Sequence, residues 1–100
     1  MTDVLEAIAH PGRRAMLVAV LEGERPAGEL AEFAGLKQPA ASQHLRVLRE
    51  AGLVAVRVDG PRRLYRVDPD GLARLREELD AFWAPSLQAL RRVAEGERRP

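Results

Sequence analysis

The sequence predicts a mainly helical α+β domain, mainly α with one β-hairpin, its elements following one another in the order ααααββα(α). Three observations carry this. Apolar residues recur at three- and four-residue steps over most of the chain, the period of a helix with one buried stripe. One stretch, from Leu53 to Val67, switches to alternation around Asp59-Gly60, a strong hairpin signal. Proline or glycine stands at nearly every change of pattern.

Val4, Leu5, Ile8 and Ala9 place a short first helix over residues 2–9, with Thr2 as its cap. His10-Pro11 interrupts it, and Pro11 suits the first position of a second helix over 11–22, where its missing N–H costs nothing. That helix turns Leu17, Val20 and Leu21 inward, and Gly23-Glu24-Arg25-Pro26 is a polar break. A third, short helix spans about 27–34 with Leu30, Phe33 and Ala34 on one face and Gly35 as its stop. The fourth runs from Gln38 and stops at Gly52. Its apolar positions Ala41, Leu45 and Leu48 form one stripe, opposite Gln38, Pro39, Ser42, Gln43, Arg46 and Arg49. The short Gly35-Leu36-Lys37 link makes a helix-turn-helix of the third and fourth helices.

In the hairpin, Val54, Val56 and Val58 share one side, and Arg63–Val67 supplies the second strand. Pro61 cannot donate a ladder hydrogen bond, so a four-residue loop, Asp59–Arg62, is expected, with Arg62 and Arg63 at its tip. Asp68 caps the last helix, whose stripe of Leu72, Leu75, Leu79 and Phe82 is bent or restarted at Pro85 and continues through Leu87, Leu90 and Val93 or Ala94. Residues 1–94 form one domain, and 95–100 read as a disordered tail. There is no internal repeat and no low-complexity tract.

With 46% apolar and 31% charged residues among 100, the composition is that of one small globular domain. No apolar run reaches the roughly 18 residues of a membrane span, and no signal peptide opens the chain, so a cytoplasmic protein is expected. The absence of cysteine excludes disulfides, thiolate metal sites and a cysteine nucleophile. Ser42, Ser86, His10 and His44 are too few for most enzyme templates, and no nucleophile–base pair has suitable context, so catalysis and cofactors are not expected.

The net charge of +1 hides an uneven distribution. Residues 37–67 carry seven basic groups against two acidic ones, between flanks of net −3 and −1. A basic middle third built from one polar helix face and an Arg-tipped hairpin points to a localised anion-binding face. A helix about 10–12 Å across fits the DNA major groove, where Gln38, Ser42 and Gln43 can read base edges. Lys37, Arg46 and Arg49 suit phosphates, and Arg62 and Arg63 suit the adjacent minor groove or backbone. The partner these features indicate is double-stranded DNA.

The segments Ala7-Ile-Ala-His-Pro-Gly-Arg-Arg-Ala-Met-Leu17, Gly28-Glu-Leu-Ala31, Gln38-Pro-Ala-Ala-Ser-Gln-His-Leu-Arg-Val-Leu-Arg-Glu-Ala-Gly-Leu-Val54 and Arg62-Arg-Leu-Tyr-Arg-Val67 resemble the ArsR family of bacterial winged helix-turn-helix repressors. The resemblance covers about residues 4–83. It implies a winged helix-turn-helix fold and a homodimer on a near-palindromic operator, released by an effector. The chain departs from the family where Lys37 replaces a frequent capping serine, Gly12 a threonine and Ala41 a valine.

A dimer follows from packing as well. Leu5, Ile8, Leu72, Leu75, Leu79, Phe82, Trp83, Leu87 and Leu90 offer more apolar surface than one small core covers. Members of the family that sense metals use thiolates near the third helix or His and carboxylate groups on the last. Here Pro26–Leu30 has no soft ligand, and the last helix offers only Asp68, Asp70, Glu77, Glu78 and Asp80, a cap and a solvated face. His10 reads as a cap or packing group, His44 as structural or phosphate-facing. No metal site is therefore expected, leaving an organic small-molecule effector or none. The alternative to a DNA-binding repressor is a winged-helix protein-interaction module without DNA binding.

Overall fold

Where the helical spacing is regular the chain coils as expected, and the computed structural model, which describes residues 3–96, gives the order α1 (Val4–Ala7), α2 (Pro11–Leu21), β1 (Arg25–Pro26), α3 (Ala27–Ala34), α4 (Gln38–Glu50), β2 (Val54–Asp59), β3 (Arg62–Val67) and α5 (Pro69–Ala94). The first helix is shorter than expected. Its cap is Asp3, whose carboxylate accepts from the Leu5 N–H at 3.1 Å; Thr2 lies outside the described residues. His10 caps α2 by accepting from the Gly12 N–H at 2.9 Å, and Asp68 caps α5 by accepting from the Asp70 N–H at 3.0 Å. Gly35, at φ 67°, ends α3 in the left-handed conformation.

The core gathers Met16, Leu17 and Val20 of α2, Leu30 and Ala31 of α3, the Ala41–Leu45–Leu48 stripe of α4, Leu53 of the α4–β2 link, and Val54 and Tyr65 of the sheet. Val4, Ala7 and Leu75 complete it from α1 and α5. Leu21 and Phe33, expected inward, are exposed. Leu21 lies about 100° around α2 from buried Val20, and Phe33 about 60° around α3 from buried Leu30 on the side away from buried Ala31, so both fall at the edge of their stripes. Val58 is exposed because the hairpin outruns the core beyond Val56.

The supposed polar break contains a strand. Arg25 and Pro26 pair antiparallel with Tyr65 and Leu64, making a three-stranded sheet in the order β1-β3-β2. A two-residue strand has no alternation to read. The expected four-residue hairpin loop is also corrected: Asp59 pairs with Arg62, so only Gly60 and Pro61 turn. Gly60, at φ 62°, supplies the positive angle that a two-residue turn needs. Pro61 sits at the turn, where no ladder bond is asked of it.

Pro85 does not restart the last helix, and α5 runs unbroken through it. The Ala81 carbonyl loses its partner there, but the stretch is exposed and water can replace the bond. Glu95 and Gly96, placed in the tail by sequence, close α5, and Glu95 pairs with Arg91 at 3.3 Å; residues 97–100 lie outside the described part. The start of α5 is docked tightly. The Asp68 N–H donates to the Leu53 carbonyl at 2.9 Å, and a Cβ on Gly71 would overlap the Gly52 carbonyl, so only glycine fits. From there α5 leaves the body and helps stretch the molecule to 66 × 27 × 25 Å.

Candidate nucleic-acid interface

Burial of Ala41, Leu45 and Leu48 against the core leaves the opposite side of α4 in solvent. Gln38, Ser42, Arg46 and Arg49, spaced four, four and three apart, then form one exposed line along the helix. This line faces the wing. Together with Arg62, Arg63 and Pro61 at the hairpin tip, Tyr65 on β3 and Pro26–Gly28 at the start of α3, it lines a cleft of 560 Å³. Six of the eight residues expected to meet DNA thus border one surface. Lys37 and Gln43 are exposed but do not line the cleft: Lys37 precedes the helix, and Gln43 is turned about 100° from Ser42.

Lys37 is extended at the N-cap of α4 and makes no side-chain cap bond, so the first N–H groups of that helix are left without a side-chain partner. Arg46 pairs with Glu50 at 3.3 Å and Arg62 with Asp59 at 3.7 Å, all four side chains being largely exposed. Such pairs hold little energy in water and can be exchanged for a phosphate. Arg49 and Arg63 have no acidic partner among the described residues. The cleft therefore keeps a positive surplus.

On its other flank α4 is tied to the N-terminal helices. The Arg13 guanidinium donates to the Ala7 and Glu6 carbonyls at the end of α1 and lies 3.1 Å from Nδ1 of His44. The His10 and His44 rings stack at 4.1 Å between centroids, tilted by 36°. Burial, the His10 ring and the Arg13 charge together hold the His44 imidazole below its ordinary value, which leaves Nδ1 free to accept from Arg13. His44 is therefore a structural residue, half-buried and bonded within the fold. Among the described residues no group of three His, Cys, Asp or Glu could hold a metal.

The residues expected at a dimer face divide into three sets. Leu75 belongs to the chain's own core, which corrects its assignment. Leu5, Ile8, Leu72 and Leu79 are half-buried against that core. Phe82, Trp83, Leu87 and Leu90 remain 42–55% exposed, with Val93 beyond them, and the Phe82 and Trp83 rings meet edge to face at 5.2 Å.

The model of a family described as bacterial regulatory proteins, arsR family, matches residues 10–56. An HTH-type transcriptional regulator of Mycobacterium tuberculosis is 42% identical over 92 residues, covering 92% of this chain and 86% of that one. The chain belongs to the ArsR family. The crystal structure of a possible transcriptional regulator for arsenical resistance superposes with a TM-score of 0.85 at 46% identity, over 96% of this chain and 98% of that one. The solution structure of a homodimeric winged helix-turn-helix DNA-binding domain from Mycobacterium bovis, a possible ArsR-family regulator, gives 0.67 at 30% identity, over 86% and 80%. The fold is the winged helix-turn-helix: α3 and α4 are its helix pair, and β2–β3 its wing.

Sequence reasoning missed the ArsR-fold contributions of Pro26–Gly28 and Tyr65 to the cleft. Tyr65 carried a usable signal, an amphipathic side chain alternating with Arg66 and Leu64 on the second strand. The α3 start became a wall of the cleft only through the pairing of β1 with β3, which no local pattern announces.

Proposed function

We propose that this chain is a dimeric, sequence-specific DNA-binding transcriptional repressor. The observation that carries the reading is the single cleft bordered by Gln38, Ser42, Arg46 and Arg49 of α4 and by Arg62 and Arg63 of the wing. α4 enters the major groove, where Gln38, Ser42 and Gln43 read base edges, while Lys37, Arg46 and Arg49 hold phosphates and fix the register. The wing arginines meet the adjacent minor groove or backbone. Two copies join through the apolar stripe of α5, and their two-fold symmetry matches a near-palindromic operator. Membership of the ArsR family and the homodimeric M. bovis relative support this arrangement.

No thiolate is available to the chain, and α5 bears no histidine, so DNA binding is independent of zinc, nickel and arsenite. An effector, where one acts, is an organic molecule. Titration against DNA from upstream of the chain's own gene at several salt concentrations tests the reading. Contact with roughly eight phosphates per dimer gives a log–log slope of about −7. A flat response overturns DNA binding and leaves a protein-interaction module, and release by any of the three metals overturns the effector assignment.

A further inference from the structure

One acidic side chain outside the wing is bonded to it. Glu24, in the turn between α2 and β1, accepts two hydrogen bonds from Arg57 of β2, from Nε to Oε2 and from NH2 to Oε1, both at 2.8 Å. This fork-to-fork geometry is the strongest form of the pair. The side chains are 28% and 49% exposed, so the contact is half withdrawn from water. The Arg57 hydrogen bond holds the Glu24 carboxyl below the usual carboxylate value; lost solvation opposes this, and Arg66 reinforces it.

The position of the pair gives it mechanical meaning. In the sheet order β1-β3-β2, Glu24 flanks one edge strand and Arg57 lies on the other, so the pair spans the middle strand. Leu64, directly opposite both Arg57 and Pro26, shares their face of the sheet. It is buried yet stands outside the main core cluster, on the face the pair crosses. Among the described residues this is the one side-chain hydrogen bond or ion pair joining the hairpin to the rest of the chain. It grips β2 near the point where the hairpin outruns the core.

The turn that carries Glu24 is itself anchored. Its neighbour Arg25 donates to the Ala19 carbonyl at 3.0 Å and pairs with Glu22 at 3.2 Å and Glu29 at 2.7 Å, tying the ends of α2 and α3 together. Since α3 packs on α4, Glu24 moves with the helix pair and Arg57 with the wing.

We propose that Glu24 and Arg57 form a strut that sets the wing's angle against α4, making Glu24 a positioning residue for DNA binding although its charge bars it from touching phosphate. Arg57, counted by composition with the DNA-facing bases, is occupied in this strut instead. The inference rests on the DNA-binding reading above. Beyond Leu64 the sheet narrows to two strands, which alone are only marginally stable, and the strut holds β2 at the last three-stranded position.

The test uses a duplex selected by the wild-type protein from a random-sequence library, with affinities measured by fluorescence anisotropy. Glu24→Gln is expected to weaken binding about fivefold, within the range for coupled neighbouring groups. Its unfolding midpoint should stay close to wild type, because a pair still partly in water adds little stability. In a background carrying Arg62→Ala and Arg63→Ala, Glu24→Gln should bring no further loss, since the wing then has nothing to position. The exchange Glu24→Arg with Arg57→Glu should restore binding. Unchanged or tighter binding by Glu24→Gln overturns the strut, as does a loss that persists undiminished without the wing arginines. Failure of the wild-type protein to select any duplex overturns the DNA reading itself, so the two failures are distinguishable.

Discussion

Helices α4 and α5 are both amphipathic, and they resolve their apolar stripes in opposite ways. The α4 stripe, Ala41, Leu45 and Leu48, vanishes into the chain's own core. The α5 stripe is covered only as far as Leu79; from Phe82 onward it stands in water. A stripe satisfied within one chain holds its helix still and leaves the far side polar, as a reading head requires. An unsatisfied stripe of that length calls for a second copy. The contrast supports the proposal that α4 reads DNA and α5 joins two copies.

The comparison can be broken at either end. Leu45→Ala should have the largest effect, costing about 2–5 kcal/mol of stability through lost burial and a cavity; chemical denaturation measures it, and a loss under 1 kcal/mol, about a fifth of that upper limit, would show α4 to be loosely seated. Leu87→Glu with Leu90→Glu should leave the fold of each chain intact by circular dichroism. It should convert a dimer to a monomer in sedimentation and lower operator affinity about a hundredfold through lost bivalency. A double variant that still sediments as a dimer would relocate the interface.

Two smaller effects sharpen the account of α4. Gln43→Ala should narrow the gap between selected and random DNA by about 1–3 kcal/mol at the affected base pair, while binding to random DNA stays nearly unchanged. Equal loss on both would confine base reading to the cleft line of Gln38 and Ser42. The smallest effect is that of His44. Its folded value lies below the ordinary 6.5, so as pH falls the unfolded chain takes up the proton first. Its contribution to stability is therefore complete above about 6.5 and is lost as pH falls through the lower folded value. Thermal unfolding followed across this window should show a shallower pH dependence in His44→Gln, and equal slopes would remove His44 from the balance.

Much of the fold was legible because its signals are long. Thirteen residues of α4 and the alternation around Asp59-Gly60 repeat their message several times. The candidate DNA-facing residues on α4 followed from the same stripe, since what is not buried must face out. Short or distant signals were not legible. β1 is two residues long, and Leu21 and Phe33 fall at the edges of their stripes. The Glu24–Arg57 pair joins groups 33 positions apart whose meeting depends on the sheet order. Of the two outcomes expected at Pro85, a bend or a restart, the restart does not occur, because one lost hydrogen bond in a 26-residue helix does not end it. Leu75 looked like its neighbours on α5, and only the docked start of that helix turns it into the core.

That docked start has a further consequence, set by the fit of Gly71 against Gly52. Gly52 lies just past the end of α4, and Gly71 is in the first turn of α5. The contact couples the helix proposed to meet DNA to the helix proposed to meet the other copy. In the proposed dimer, the angle at this junction sets how far apart the two α4 helices stand, and hence whether they fall one turn of the duplex apart, about 34 Å. The width of a missing methyl group is thereby converted into the spacing between operator half-sites. Gly71→Ala would break this seating, since no Cβ fits against the Gly52 carbonyl.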